Sequence, residues 1–381
     1  MANRRPHEGP LGNTGNRFTP PPHEKRQFGR ESRHRMKRLQ RSLTSSRSAG
    51  LCCFGRGETV SVDVGRALTA HVSNVRRCGS PWSCPVCAPV VRQQRAVEID
   101  AALRRHLDGG GGALFVTFTL RHHRGDTLAS RLDVVSKSMR YVLTGNPWQR
   151  RREALGYVGV MKAVEVTYGE NGWHPHSHSL LLTERPATEI ERCELSSWMF
   201  GRWRGVAERR GLGSVTRANG VDVRPVTSAG SLSEYLTVVE GGWSPGLELT
   251  RTDRKSRSPF ELLKSVLETG DARTAALWRE YERATFGKRA VVWSPGLRRR
   301  LCGVELEESD EALAASEGLD LGLLRALVPS DVWNATVRDG TTGVLLTDIE
   351  RAAALLFFIA DTLGYDVPIL DLPAFEGARN G

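Results

Sequence analysis

One short stretch of the chain, WHPHSHSLLL (Trp173–Leu182), constrains the fold more than any other. Its three histidines, His174, His176 and His178, are spaced two residues apart. Alternate side chains of a β-strand point to the same face, so the three imidazoles project together. Imidazole is the commonest metal ligand in proteins, and the spacing therefore predicts a divalent-metal site on a sheet. The alternative is an exposed polar strand face without a metal. The hydrolase motif HxHxDH is disfavoured, because Ser-Leu follows the third histidine.

The residues before this stretch predict its partner strand. Tyr157–Thr167 has strand character, and the turn cluster GENG occupies residues 169–172. A turn centred on the Glu-Asn pair places Glu165 opposite His176, whereas a turn one residue later places it opposite His178. Both registers keep the carboxylate on the histidine face, because they preserve the alternation of the strand. A glutamate with two or three histidines suits Mg²⁺ or Mn²⁺.

Five of the seven cysteines are grouped in the first quarter of the chain. Cys84 and Cys87 form a CxxC knuckle, Cys78 lies just upstream, and Cys52 and Cys53 lie further upstream. Four thiolates of this set can hold one tetrahedral structural Zn²⁺. The alternative is a set of unconnected buried thiols, but Gly, Pro and Trp interleave the cysteines and leave little other core. The sequence does not decide whether Cys52 or Cys53 is the fourth ligand.

The charge of the chain is distributed unevenly along its length. Net charge is +11, yet residues 303–381 carry 4 basic against 15 acidic side chains. Residues 1–50 carry 12 basic against 3 acidic side chains, and residues 51–302 carry 38 against 25. A GC-rich genome would raise arginine everywhere, including the acidic tail. The excess therefore indicates a polyanionic partner, and we expect nucleic acid.

The sequence gives no sign of a membrane segment. The first residues lack the apolar core of a signal peptide, and the longest apolar run, Ala352–Ala360, is too short to span a bilayer. We therefore expect a cytoplasmic protein without a membrane partner. Its cysteines are then better interpreted as thiols or metal ligands than as disulfides.

Four motifs carry a resemblance to a known family. They are FVTFTLRHH (Phe115–His123), the HPHSHSLL strand, SLSEYLTVVE (Ser231–Glu240) and CGSPWSCPVC (Cys78–Cys87). Together they resemble the rolling-circle replication initiators of actinobacterial plasmids, members of the HUH endonuclease superfamily. The histidine and cysteine motifs are the specific parts, and the likeness extends weakly to about Leu301.

The resemblance implies that Tyr235 is the nucleophile. Ser231 and Glu234 form a capping box, which predicts that a helix begins there. Helical spacing alone indicates that Tyr235 is an ordinary aromatic residue at the edge of the core. The family, however, places its DNA-cleaving tyrosine in this helix. Many relatives carry a lysine three residues later, where this chain has Val238, so that cation is missing or comes from an arginine elsewhere.

The order of strands and helices predicts an α+β fold, with a central antiparallel sheet flanked by helices. A small cysteine-bound zinc module and a helical C-terminal region complete this prediction. The expected domains are a basic disordered arm (1–48), a zinc-binding module with a connecting helix (49–108), a nicking domain (109–245), a helical extension (246–301) and an acidic accessory region (302–381). Residues 31–42 of the arm are expected to become helical on contact with DNA.

The resemblance implies a plasmid replication initiator that nicks and rejoins single-stranded or hairpin origin DNA. The implied metal ligands are Glu165, His176 and His178, with His174 the least certain. In this mechanism Tyr235 attacks the scissile phosphate and leaves a 5′-phosphotyrosine, and host polymerase and helicase are the partners. The alternatives are a relaxase or single-strand transposase with the same chemistry, and a zinc-containing DNA-binding regulator without catalysis.

Overall fold

The computed structural model describes residues 22–65, 67–213, 215–226, 256–303, 309–315, 324–363 and 370–372. Their helices are α1 (Pro22–Leu43), α2 (Arg47–Leu51), α3 (Cys87–Asp108), α4 (Leu128–Ser136), α5 (Ser138–Val142), α6 (Asn146–Ala154), α7 (Glu189–Arg209), α8 (Arg217–Gly220), α9 (Pro259–Thr269), α10 (Ala272–Thr285), α11 (Leu297–Cys302), α12 (Asp310–Ala315), α13 (Ser330–Asp339) and α14 (Thr342–Leu363). Their strands are β1 (Thr59–Val64), β2 (Ala70–Ser73), β3 (Gly112–Thr119), β4 (Tyr157–Gly169), β5 (Gly172–Thr183), β6 (Val221–Pro225), β7 (Ser256–Arg257), β8 (Val291–Trp293), β9 (Leu324–Pro329) and β10 (Leu370–Leu372).

A central sheet carries the histidine motif. Its strand order is β6-β3-β5-β4-β7, with β8 also paired to β4, and every pairing is antiparallel. A two-residue turn joins β4 to β5, so that Gly169 pairs with Gly172 and Glu165 lies opposite His176. The first of the two registers expected from the sequence is therefore the one found.

The two faces of the central sheet are covered by different helices. On one face, Val116, Phe118 and Leu181 pack against α5 and α7, and the Trp203 indole N–H donates to the Thr119 carbonyl. The opposite face carries the histidines and an apolar region, in which residues of β3, β4 and β5 pack against α3 and α11. Side chains alternate along each strand, so apolar residues and histidines share this second face at different points along β5.

A smaller sheet joins the cysteine-bearing segment to the end of the chain. Its order is β10-β9-β1-β2, and β9 pairs antiparallel with β1 along the whole of both strands. Val62 of β1, Leu324 of β9 and Trp333 of α13 lie in one core with the buried cysteines. The predicted helical C-terminal region is present as α13 and α14. The boundary expected at residue 302 falls between β1 and β9, which belong to one sheet. Their pairing could not be predicted, because strands so distant along the chain carry no local signal for each other.

Helix α1 corrects the prediction of a disordered arm for residues 22–43. Arg30 Nη1 lies 2.5 Å from Glu350 Oε1 on α14, and Arg41 Nη1 donates to the Val337 carbonyl at 2.9 Å. Lys37 of the same helix is buried. The basic composition suggested a disordered segment, because Glu350, the acidic partner of Arg30, lies near the opposite end of the chain. In the fold, these basic side chains are internal hydrogen-bond donors.

The α+β prediction, with an antiparallel sheet flanked by helices, is confirmed. Among the described residues, no helix combines the length and the apolar character needed to cross a bilayer. The segment Ser231–Glu240, which contains Tyr235 and Val238, lies outside the described residues.

Candidate functional site: a histidine face and a cysteine cluster

The three histidines of β5 lie side by side on one face, as their spacing predicts. The ring centroids of His174 and His176 are 3.8 Å apart, and those of His176 and His178 are 5.8 Å apart. His176 Nε2 lies 3.1 Å from His174 Nδ1, and His178 Nε2 lies 3.4 Å from Glu165 Oε2. Glu165 thus contacts His178, although its backbone is opposite His176. The potential metal-binding atoms therefore form two pairs, and among the described residues no three of them all lie within 4.8 Å of one another.

Two threonines of the FVTFT strand hold two of these imidazoles. The Thr117 hydroxyl lies 3.2 Å from His178 Nδ1, and the Thr119 hydroxyl lies 3.2 Å from His176 Nδ1. The strand register brings these residues together, because each threonine is paired directly with its histidine. An imidazole that donates its Nδ1–H to a threonine oxygen keeps the Nε2 lone pair for a metal ion. The threonines thereby orient the two rings and favour the tautomer that can bind.

Burial makes His174 and His176 poor bases. Burial and the neighbouring histidines lower the pKa of His176 to about 2. Burial, with a smaller contribution from His122, lowers the pKa of His174 to about 4. Both rings are therefore neutral at physiological pH, and the neutral imidazole is the form that binds metal. The Glu165 carboxylate adds an oxygen donor next to His178.

Two residues near this face were not singled out from the sequence. The His122 ring stacks on His174 with the centroids 4.0 Å apart, and burial lowers its pKa. Its signal is the HH that follows FVTFT, but it lies beyond the end of β3, where strand alternation makes no prediction. Arg92 of α3 lines a small cavity together with Glu165. It belongs to the connecting helix that was expected to accompany the zinc-binding module.

Four buried cysteine sulfurs form a separate cluster. The Sγ atoms of Cys52, Cys78, Cys84 and Cys87 all lie within 4.8 Å of one another. The Cys52 sulfur is 3.8 Å from that of Cys84 and 3.5 Å from that of Cys87, and the Cys78 sulfur is 3.9 Å from that of Cys87. A Zn–S bond of about 2.3 Å requires about 3.8 Å between the sulfurs of a tetrahedral site. The four residues can therefore hold a metal ion such as zinc.

The geometry distinguishes Cys52 from Cys53, which the sequence alone did not. Cys53 is not part of the group of four. Its backbone φ is 76°, and Arg77 Nη1 donates to its sulfur at 4.0 Å. The Trp333 indole N–H donates to the Cys53 carbonyl at 2.8 Å, which fixes the backbone in this turn. The Cys53 sulfur lies 3.7 Å from that of Cys52, but the group of sulfurs within 4.8 Å of one another includes Cys52 and not Cys53.

A buried lysine lies next to the cysteine cluster. Lys37 Nζ donates to Gln40 Oε1 at 2.5 Å and to the Ala49 carbonyl at 2.7 Å. Burial disfavours its charge, but the thiolates of Cys84 and Cys52 outweigh burial and raise the pKa of Lys37 above its usual value. Four thiolates around a divalent ion carry a net charge of about −2. The Lys37 ammonium offsets part of that charge.

The chain is similar to known replication proteins in a region that contains the histidine face and three of the four clustered cysteines. The profile of a family described as Replication protein matches residues 69–189. A Streptomyces lividans protein named Protein rep is 35% identical over 341 aligned residues, which cover 71% of this chain and 75% of that protein. A Streptomyces cyanogenus protein named Neomycin resistance protein is 34% identical over 131 residues, 28% of this chain and 30% of that protein. No solved structure matches. The similarity to the Streptomyces lividans protein extends over most of both chains, and this chain therefore belongs to the family of actinobacterial plasmid Rep replication proteins.

Proposed function

We propose that this Rep protein initiates rolling-circle plasmid replication by nicking and rejoining a strand of the origin through Tyr235. The observation that carries the proposal is the histidine face, where Glu165, His176 and His178 present donor atoms at one end of a sheet. The threonines behind the rings support it, because a polar strand face without a function does not require each imidazole to be held by its own hydroxyl. Family membership supports the role in replication.

Glu165, His176 and His178 would hold a Mg²⁺ or Mn²⁺ ion, with His174 as a further candidate ligand. When bound, the ion supplies positive charge to the scissile phosphate and stabilises the charge of the transition state. Three protein donors would leave coordination positions of the ion for phosphate oxygens. This arrangement suits a hard ion that keeps open coordination positions.

Tyr235 supplies the attacking oxygen. Its phenol oxygen forms a bond to phosphorus, and the bond from phosphorus to the 3′ oxygen breaks. The proton lost by the phenol is balanced by the proton that the 3′ oxygen gains. The products are a 5′-phosphotyrosine and a free 3′-OH. The covalent link retains the energy of the phosphodiester, so the reverse attack by a 3′-OH rejoins the strand.

The substrate in this proposal is single-stranded or hairpin-extruded origin DNA, because the phosphate must be reached in an unpaired strand. The free 3′-OH primes a host polymerase, and a host helicase opens the duplex ahead of it, in the cytoplasm. The cysteine cluster would hold a structural Zn²⁺ that stabilises the smaller sheet.

The test is nicking of a single-stranded origin oligonucleotide, labelled at one end, with Mn²⁺ and with EDTA. We expect a specific cut and a covalent protein–DNA band with Mn²⁺ only. Binding that never leads to cutting, under any metal condition, would support the DNA-binding regulator instead. Mass spectrometry of the covalent band identifies the attached residue, and this separates tyrosine chemistry from simple hydrolysis.

Replacing the histidines should stop nicking. We expect His176→Ala and His178→Ala each to lose at least about 100-fold of the nicking rate, since each removes an ion ligand. Glu165→Ala should mainly raise the Mn²⁺ concentration needed. The control is His123→Ala, because His123 is exposed and contributes its backbone rather than its ring to the nearby turn. Activity retained in His176→Ala but lost in His174→Ala would show that the ligands are wrongly assigned.

The supporting threonines should affect the metal more than the fold. Thr119→Val keeps the shape of the side chain but removes the hydroxyl beside His176, and we expect a metal affinity about 10- to 100-fold weaker. Titration of the nicking rate with Mn²⁺ measures this effect. Ser177→Ala is the matched control, because Ser177 is buried on the opposite face of β5 and its hydroxyl has no hydrogen-bond partner among the described residues. Equal effects of the two changes would argue against a role for the threonine.

A further inference from the structure

We propose that an arginine-lined cavity between α1, β2 and α3 binds a nucleoside phosphate. The cavity has a volume of about 540 Å³. This size is typical of small-molecule sites, which span about 300–1,000 Å³. None of the residues that line it belongs to the histidine face, and the inference does not depend on the nicking reaction.

The wall of the cavity is positively charged. Arg30, Arg33 and Arg77 line it, and no Asp or Glu among the described residues does. His34 lies among the three guanidinium groups. Burial, and then the charges of Arg33, Arg77 and Arg30, lower the pKa of His34 to about 3, so its ring is neutral. Arg30 is paired with Glu350, so the positive charge offered to an anion comes mainly from Arg33 and Arg77, whose guanidinium groups match the geometry of phosphate oxygens.

Helix α1 is fixed in the position that this site requires. The guanidinium of Arg30 contacts Glu350 of α14, and Glu350 also accepts the backbone N–H of Ala70 at 2.7 Å. One carboxylate thus ties α1 to the edge strand β2, and both elements line the cavity. A site whose walls are held before binding loses little conformational entropy when a ligand enters.

The remaining walls suit a nucleobase. Val86, Val90 and Val97 form an apolar side along α3, and Gln93 and Gln94 add amide groups. Val97 is 63% exposed. An apolar wall beside amide donors and acceptors fits a flat heterocycle, and a bare phosphate would use only the arginines. A phosphate joined to a nucleoside uses both parts.

The test measures binding of fluorescently labelled ATP to the full-length protein by anisotropy, in buffer without Mg²⁺ or Mn²⁺. We expect saturable binding of one molecule per chain. Arg33→Gln should weaken it at least about tenfold, because it removes a charged donor to phosphate. Val97→Glu should weaken it similarly by placing a negative charge at the mouth of the cavity, at an exposed position that leaves the core intact.

Arg35→Gln is the matched control, since Arg35 is an exposed arginine on the same helix that lines a different cavity. Its affinity should stay within about twofold of the unchanged protein. Equal losses in Arg33→Gln and Arg35→Gln, or the absence of saturable binding, would overturn the proposal. Inorganic phosphate that competes as well as unlabelled ATP would overturn the part that concerns the nucleoside.

Competition with unlabelled oligonucleotides distinguishes the two sources of a nucleoside phosphate. Displacement of the labelled ATP by DNA, together with weaker binding of that DNA to the Val97→Glu protein, would mean that a nucleotide of the DNA occupies the site. Retention of ATP in the presence of DNA would mean that a free nucleotide does. Both results support the site. Nicking by Arg33→Gln is measured separately, so failure of the nicking proposal leaves this result intact.

Discussion

Tyr235→Phe should abolish the covalent protein–DNA adduct and leave DNA binding nearly unchanged, because it removes only the attacking oxygen. The adduct is measured with a labelled single-stranded origin oligonucleotide in Mn²⁺, and binding is measured with the same strand in EDTA. We expect loss of at least about 1,000-fold in the rate of adduct formation, as is typical when a catalytic nucleophile is removed. Affinity for the strand should stay within about twofold.

The structure gives reasons why the tyrosines among the described residues do not substitute for Tyr235. Tyr281 is 1% exposed, its hydroxyl donates to the Trp82 carbonyl at 3.2 Å, and burial raises its pKa to about 12. Tyr141 and Tyr157 pack with the core on the sheet face opposite the histidines, and Tyr168 packs against Trp173. A phenol as deeply buried as that of Tyr281 can neither reach a phosphate nor lose its proton readily.

The matched control is Tyr365→Phe, because Tyr365 and Tyr235 are the tyrosines that lie outside the described residues. It should form the adduct at the normal rate. An adduct that persists in Tyr235→Phe, with the attached residue mapped to Tyr365 or Tyr281, would refute the assignment. A loss of both binding and adduct in Tyr235→Phe would show that the hydroxyl has a structural role, and the thermal transition would then fall as well.

Local sequence rules account for much of the candidate site. The alternation of a strand put His174, His176 and His178 on one face, and the GENG turn cluster limited Glu165 to two registers that both reached that face. Alternation within FVTFT also places Thr117 and Thr119 on the histidine face and Phe118 on the opposite face. Each of these features depends on residues close together in sequence, where backbone geometry leaves few alternatives.

Features that depend on distant pairings could not be predicted. The β1–β9 pairing joins residues 59–64 to residues 324–329, and neither strand has a local signal for its partner. Helix α1 has the composition of a disordered arm, and a contact that holds it, Arg30 with Glu350, joins residues far apart along the chain. The choice of Cys52 over Cys53 depends on a positive φ at Cys53, which is unusual for a residue with a side chain and follows from the tertiary packing around Trp333.

The cysteine cluster permits a comparison between adjacent residues. We expect Cys52→Ser to lose the bound zinc and Cys53→Ser to retain it, because only Cys52 lies within the group of four sulfurs. A filled structural zinc site contributes directly to folding free energy, about 10–16 kcal/mol in isolated zinc-finger peptides at pH 7. Part of that free energy remains as packing in a larger core. Even so, the thermal transition of Cys52→Ser should fall by at least about 10 °C.

Cys53→Ser should cost far less, about 1–3 kcal/mol for a buried hydroxyl in place of a thiol, and its zinc content should match the unchanged protein. Metal analysis and thermal melts of both variants give the comparison, with exposed Cys193→Ser as the surface control. Zinc loss in Cys53→Ser with retention in Cys52→Ser would reverse the assignment.

Mild EDTA should stop nicking reversibly and leave the zinc of the cysteine cluster in place. A buried site closed by four thiolates exchanges its ion slowly, whereas the histidine face must stay open to phosphate. Folded protein that purifies with less than about half an equivalent of zinc would exclude a structural zinc site, since such a site is normally filled.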